Sequence, residues 1–149
     1  MTDIAFYHLQ HTPLETVLPK LLEKTLQAGE RALVLAASGE RVEHLCAALW
    51  TYDPASWLPH GTDKDGHGAR QPVWLSCADE NVNSASFLFL TDGATSQRSG
   101  EFERCFYIFD GHDPEQLARA RTQWKRYLED GHVLTYWQQD VGGGWAKKG

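Results

Sequence analysis

Apolar residues in this chain follow two rhythms that alternate along its length. Ile4 to Leu9 (IAFYHL) is a short apolar and aromatic run, which predicts an opening strand. Leu14, Val17, Leu18, Leu21, Leu22 and Leu26 then recur at helical spacing. Thr12 stands as the expected N-cap of that helix, with Pro13 in its first turn and Glu15 three residues after the cap. Gly29 falls where a C-terminal glycine cap belongs. Ala32 to Ala36 (ALVLA) is continuously apolar, as in a strand covered on both faces of a parallel sheet. Ser38 is placed to cap a second helix carrying Val42, Leu45, Ala48 and Leu49. Strand, helix, strand, helix is the signature of an α/β fold.

The second half continues the pattern after a loop over residues 51–71 rich in proline, glycine and charge. Val73 to Cys77 and Ser86 to Thr91 read as strands, and residues 92–100 as a further loop. A short helical turn at Glu101 to Arg104 leads into a buried strand at Cys105 to Phe109. Asp113 and Pro114 open a long helix that runs to about Asp130 and closes at Gly131. Val133 to Trp137 is the last strand expected, and residues 142–149 (GGGWAKKG) read as a frayed tail apart from Trp145. The expectation is one α/β domain over residues 1–141, with a Rossmann-like, mostly parallel sheet flanked by helices.

Composition narrows the class of function. With 42% apolar residues the chain can bury a core, and no apolar run reaches the length of a membrane span. The first residues carry no secretory signal, so a cytoplasmic location is expected. Cys46, Cys77 and Cys105 are odd in number and widely spaced. They fit neither a disulfide framework nor a cysteine zinc site, and each reads as a small buried hydrophobe. A net charge of -6 argues against coating nucleic acid by wholesale phosphate neutralisation, so any basic site must be local.

Enzyme chemistry finds few handles. The first strand ends in HLQHTP rather than a glycine-rich phosphate cradle, and neither GxxxxGK[ST] nor GxGxxG follows a strand. No nucleotide-binding loop, cofactor, catalytic residue or metal centre is expected. The loop from His60 to His67 gathers metal-capable side chains, but it lacks the bidentate glutamate of a calcium loop and a third zinc ligand. His8 and His11 flank the end of the first strand, where α/β enzymes place reactive groups. An enzyme using them is the alternative reading, and a direct single-stranded nucleic-acid binder using the last helix is another.

That last helix carries the most information. Leu117, Ala120, Trp124, Tyr127 and Leu128 share one face, and Arg121 and Lys125 project beside it. Arg119 and Arg126 lie on the opposite face. Two cations beside an aromatic seam suit a guest with a carboxylate and an apolar side chain. The plain alternative is a solvated basic face with snorkelling stems. Trp124 lies at the middle of the stripe, where it would support such a site from behind.

Several motifs occur together in a specific order. They are FYHL at Phe6 to Leu9, ALW at Ala48 to Trp50 and WLPH at Trp57 to His60. FDGHD at Phe109 to Asp113, RTQWKRY at Arg121 to Tyr127 and LTYWQQ at Leu134 to Gln139 complete the set. In these the chain resembles, over essentially its full length, the chi subunit family of the bacterial DNA polymerase III holoenzyme; residues 79–100 match poorly. The resemblance implies a Rossmann-like fold without a nucleotide site, and a non-catalytic adaptor of the clamp loader in DNA replication. It implies two partners, the psi subunit and the acidic C-terminal tail of single-stranded DNA-binding protein, which ends in phenylalanine. It further implies a helicase-like repair protein on an overlapping surface. By motif position Arg121 and Lys125 match the family's tail-binding cations, Trp124 an aromatic there, and Phe109 a pocket wall. Trp50, Pro54 and Trp57 fall on the segment where the family meets psi; from sequence alone those tryptophans could equally be satellite core.

Overall fold

The computed structural model describes residues 2–51, 60–62, 69, 71–142 and 144–148. Its strands are β1 (Asp3–Leu9), β2 (Ala32–Leu35), β3 (Gly61–Thr62), β4 (Val73–Ser76), β5 (Phe87–Leu90), β6 (Arg104–Asp110), β7 (Val133–Gln139) and β8 (Trp145–Lys147). Three helices accompany them: α1 (Leu14–Gln27), α2 (Gly39–Thr51) and α3 (Pro114–Glu129). The strands form one eight-stranded sheet in the order β3-β4-β2-β5-β6-β1-β7-β8. Every neighbouring pair is parallel except β7 with β8. This is the expected α/β fold.

Strand alternation divides the core between the two faces of the sheet. Ala5, Leu9, Phe89, Phe106 and Ile108 face α1 and α2, and join Leu18, Leu22, Val42 and Leu45 in one buried cluster. Ile4, Phe6, Leu88, Tyr107 and Phe109 face the other way and pack against Ala120 and Tyr127 of α3. Both α1 and α3 end in a glycine with φ near +80°, Gly29 and Gly131. In each case the following N–H reaches back to close the last turn, from Glu30 to Thr25 and from His132 to Tyr127. At its start, the α3 cap is the expected Asp113, whose carboxylate accepts from the N–H groups of Glu115 and Gln116.

Five details differ from the sequence reading. The N-cap of α1 is Pro13, with no side-chain cap, because Thr12 is engaged elsewhere. Gly61–Thr62 adds an edge strand that a loop reading missed. The short helical turn lies at Ser99–Glu101, ahead of the residues expected. Within the stretch read as a frayed tail, Trp145–Lys147 pairs with β7. Finally, Cys105 is buried, but Cys46 is half-buried and Cys77 exposed. Burial pushes the Cys105 thiol up to about 12, partly opposed by a hydrogen bond with Ser99.

Candidate functional site

α3 crosses the sheet at β6, β1 and β7, and an open cavity of about 440 Å³ lies along its flank. Phe6, Phe109, Leu117, Ala120 and Trp124 form its apolar lining, His8 and Tyr136 add a polar pair, and Arg121 and Lys125 complete it. The fold therefore brings Arg121, Trp124, Lys125 and Phe109 to one place from two separate elements.

Helical geometry explains the arrangement on α3. Leu117, Arg121 and Lys125 are successive i, i+4 neighbours, so an apolar residue and two cations run in one row along the cavity. Both cations are exposed. Trp124 stands one position inward and is half-buried. Its ring meets Phe6 edge-on with centroids 5.1 Å apart, and Tyr136 at 5.9 Å. It both packs against the core and walls the cavity. Leu128, by contrast, is 53% exposed and leaves the core stripe to which its spacing assigned it. α3 stops supporting the sheet at Tyr127, the last residue of its buried face.

Phe109 is 1% exposed and forms the inner wall, with its ring 4.9 Å from that of His8. His8 Nδ1 lies 2.6 Å from the Tyr136 hydroxyl. Burial raises the Tyr136 phenol, and the nearby Arg121 guanidinium partly opposes this. On its other side His8 packs over Gly111, where an added Cβ would sit 1.9 Å from the imidazole Nε2. The glycine of the FDGHD turn thus makes room for His8. Tyr136 and His8 were not singled out as parts of this site. The available signal was strand alternation, which places Phe6 with His8, and Leu134 with Tyr136, on the face that α3 covers.

Chemically, this is a largely apolar well with two cations at its rim. A guanidinium at that position can take a carboxylate by two parallel hydrogen bonds, whereas Lys125 offers a point charge.

A second cavity, of about 570 Å³, opens at the C-terminal ends of β1 and β6, where α/β folds bind nucleotides. Here the turn after β1 is already occupied by the protein itself. The Gln139 side-chain oxygen accepts from the N–H groups of Gln10, His11 and Thr12 at 3.2, 2.8 and 3.0 Å. Those amides would otherwise be available to a phosphate. Arg41 in the same cleft forks onto Asp92 and also reaches Glu15. Burial acts to raise the Glu15 carboxyl, but its own backbone N–H and Arg41 outweigh it and hold the group low. His11 lines this cleft and His8 the other, so the two histidines at the end of β1 serve different cavities.

Trp50, near the end of α2, is 60% exposed, and its ring lies 4.6 Å from that of His60. Pro54 and Trp57 lie outside the described residues, as does most of the His60 to His67 loop. Among the described residues, no three His, Cys, Asp or Glu side chains converge as metal ligands. No helix among them is long and apolar enough to cross a membrane.

Residues 1–135 match the family described as "DNA polymerase III chi subunit, HolC". A protein of Rickettsia prowazekii (strain Madrid E) named "Probable DNA polymerase III subunit chi" is 28% identical over 109 residues. That similarity covers 71% of this chain and 66% of the relative, just under two thirds of its length.

Proposed function

The chain belongs to the DNA polymerase III chi subunit family, and on that premise we propose that it is a non-catalytic adaptor of the clamp-loader complex. It joins the psi subunit to the acidic C-terminal tail of single-stranded DNA-binding protein during replication. The observation that carries the tail-binding half is the cavity where exposed Arg121 and Lys125 stand over an apolar well walled by Phe109 and Trp124. The terminal phenylalanine of the tail enters the well, Arg121 pairs its α-carboxylate, and Lys125 attracts the acidic residues that precede it. No proton transfer or bond breaking is asked of any residue.

Trp50, Pro54 and Trp57 form the psi side. An exposed tryptophan such as Trp50 is a typical interface anchor. A helicase-like repair protein is a further partner on an overlapping surface. Because α2 and α3 lie on opposite faces of the sheet, the two principal partners can bind together.

Reciprocal variants test the bridge. Arg121→Ala should lose the tail and keep psi, and Trp57→Ala should lose psi and keep the tail, each measured by co-purification with one partner at a time. Loss of both partners with either change would contradict two separate surfaces.

A further inference from the structure

The sheet extends past α1 on the face that α1 covers, because β7 and β8 lie beyond β1. The result is a groove of about 740 Å³ between α1 and this edge. Its floor is aromatic: Tyr7, Trp137 and Trp145, all half-buried, line it side by side. The Tyr7 and Trp137 rings lie nearly parallel, with centroids 6.4 Å apart, and Trp145 meets Tyr7 edge-on at 4.9 Å. One wall is the α1 stripe Thr16, Lys20, Lys24 and Gln27, whose two lysines are exposed. Beyond the lining, on the edge strand farther from α1, Lys147 sits opposite Trp137 in the antiparallel register and shares its face. Among the described residues, Glu23 is the one carboxylate of the lining. From Thr16 to Gln27 the groove runs for about 16 Å.

We propose that this groove binds a short segment of single-stranded nucleic acid, with bases against Trp137 and Trp145 and phosphates along Lys20, Lys24 and Lys147. Aromatic faces between cationic walls are the common solution for single-strand binding, because every base has a face to stack. Charge distribution favours this guest over an acidic peptide. At Arg121 the cations stand in one row over an apolar well, which suits one terminal carboxylate. Here they stand on both sides of an open floor, which suits charges repeated along a backbone. The net charge of -6 makes the interaction weak and salt-sensitive. The proposal is independent of tail binding.

The test is fluorescence anisotropy of a labelled oligo-dT strand with the full chain. Saturable binding is expected at 50 mM salt. Neutralising three phosphates predicts binding about 20-fold weaker at 200 mM. Lys20→Glu with Lys24→Glu should weaken it at least tenfold, and Lys20→Gln with Lys24→Gln should act in the same direction with an unchanged melting temperature. Arg121→Ala should have no effect. Absence of saturable binding at 50 mM would overturn the proposal. So would binding that survives the lysine changes but falls with Arg121→Ala or Arg126→Ala, or equal affinity for duplex. A poly-glutamate peptide that binds through Lys20 and Lys24 while the oligonucleotide does not would make the groove a peptide site instead.

Discussion

Gln139, at the end of β7, and Thr12, in the turn between β1 and α1, hold each other through both ends of one carboxamide. The Gln139 oxygen accepts the Thr12 N–H at 3.0 Å, and its nitrogen donates to the Thr12 hydroxyl at 2.5 Å. The same oxygen also takes the N–H groups of Gln10 and His11. A side chain from the neighbouring strand thereby fills a position that an anion can occupy in nucleotide-binding α/β folds.

Removing that carboxamide should therefore cost stability. Gln139 is 2% exposed, and Gln139→Ala removes the acceptor of three backbone donors at once. The expected loss is about 2–3 kcal/mol, read as a melting temperature lower by roughly 5–10 °C. Inorganic phosphate should recover part of it by occupying the vacated amides; a loss below about 0.5 kcal/mol would mean that the turn holds itself without Gln139.

His8 makes stability depend on pH in a definite direction. Burial holds its imidazole below the usual range, His112 adds to this, and Asp110 partly opposes it. Its other near neighbours are the neutral Tyr136 hydroxyl and, across the cavity, Arg121 and Lys125. A histidine harder to protonate when folded means that the unfolded chain takes up its proton first as pH falls. The contribution is intact above about pH 6.5 and declines as pH drops below it. Urea midpoints of wild type and His8→Gln should run parallel at high pH, with the wild type falling more steeply under acid. Identical slopes down to pH 5 would contradict the assignment.

How far these features could be read from sequence depended on how local their causes are. The caps at Asp113, Gly29 and Gly131 were legible because a cap is a contact within one turn. The sheet was legible because buried parallel strands leave continuous apolar runs. Thr12 was misplaced as a cap because its real partner is 127 residues away. Leu128 was misplaced because helical phase cannot tell where the sheet beneath a helix stops. At the cavity, Arg121 and Lys125 were legible as a row on one helix. Phe109 came from motif position, and the His8–Tyr136 pair needed the parallel β1–β7 register.

On the psi side, Trp50→Ala should weaken psi binding at least tenfold with little change in stability, since the ring is 60% exposed. Calorimetric titration with psi, beside a thermal melt, checks both. Unaltered psi affinity would move the interface away from the end of α2.

Within the tail site the two cations should differ. A charge-assisted bidentate pair is worth about 1.5–3 kcal/mol, so Arg121→Ala should weaken an acidic tail peptide roughly 10- to 150-fold. Exposed Lys125 acts by long-range attraction and should cost about 1 kcal/mol or less, an effect that shrinks with added salt. Equal losses at both positions, measured by peptide titration at two salt concentrations, would argue for a diffuse basic surface.

The carboxylate itself is the sharpest probe of the adaptor reading. A synthetic acidic peptide ending in phenylalanine should bind the wild-type chain, and the same peptide with an amidated C-terminus should bind at least tenfold more weakly. That difference should disappear in Arg121→Ala. If the amide binds as well as the acid, Arg121 does not hold the terminal carboxylate and the tail-binding account fails.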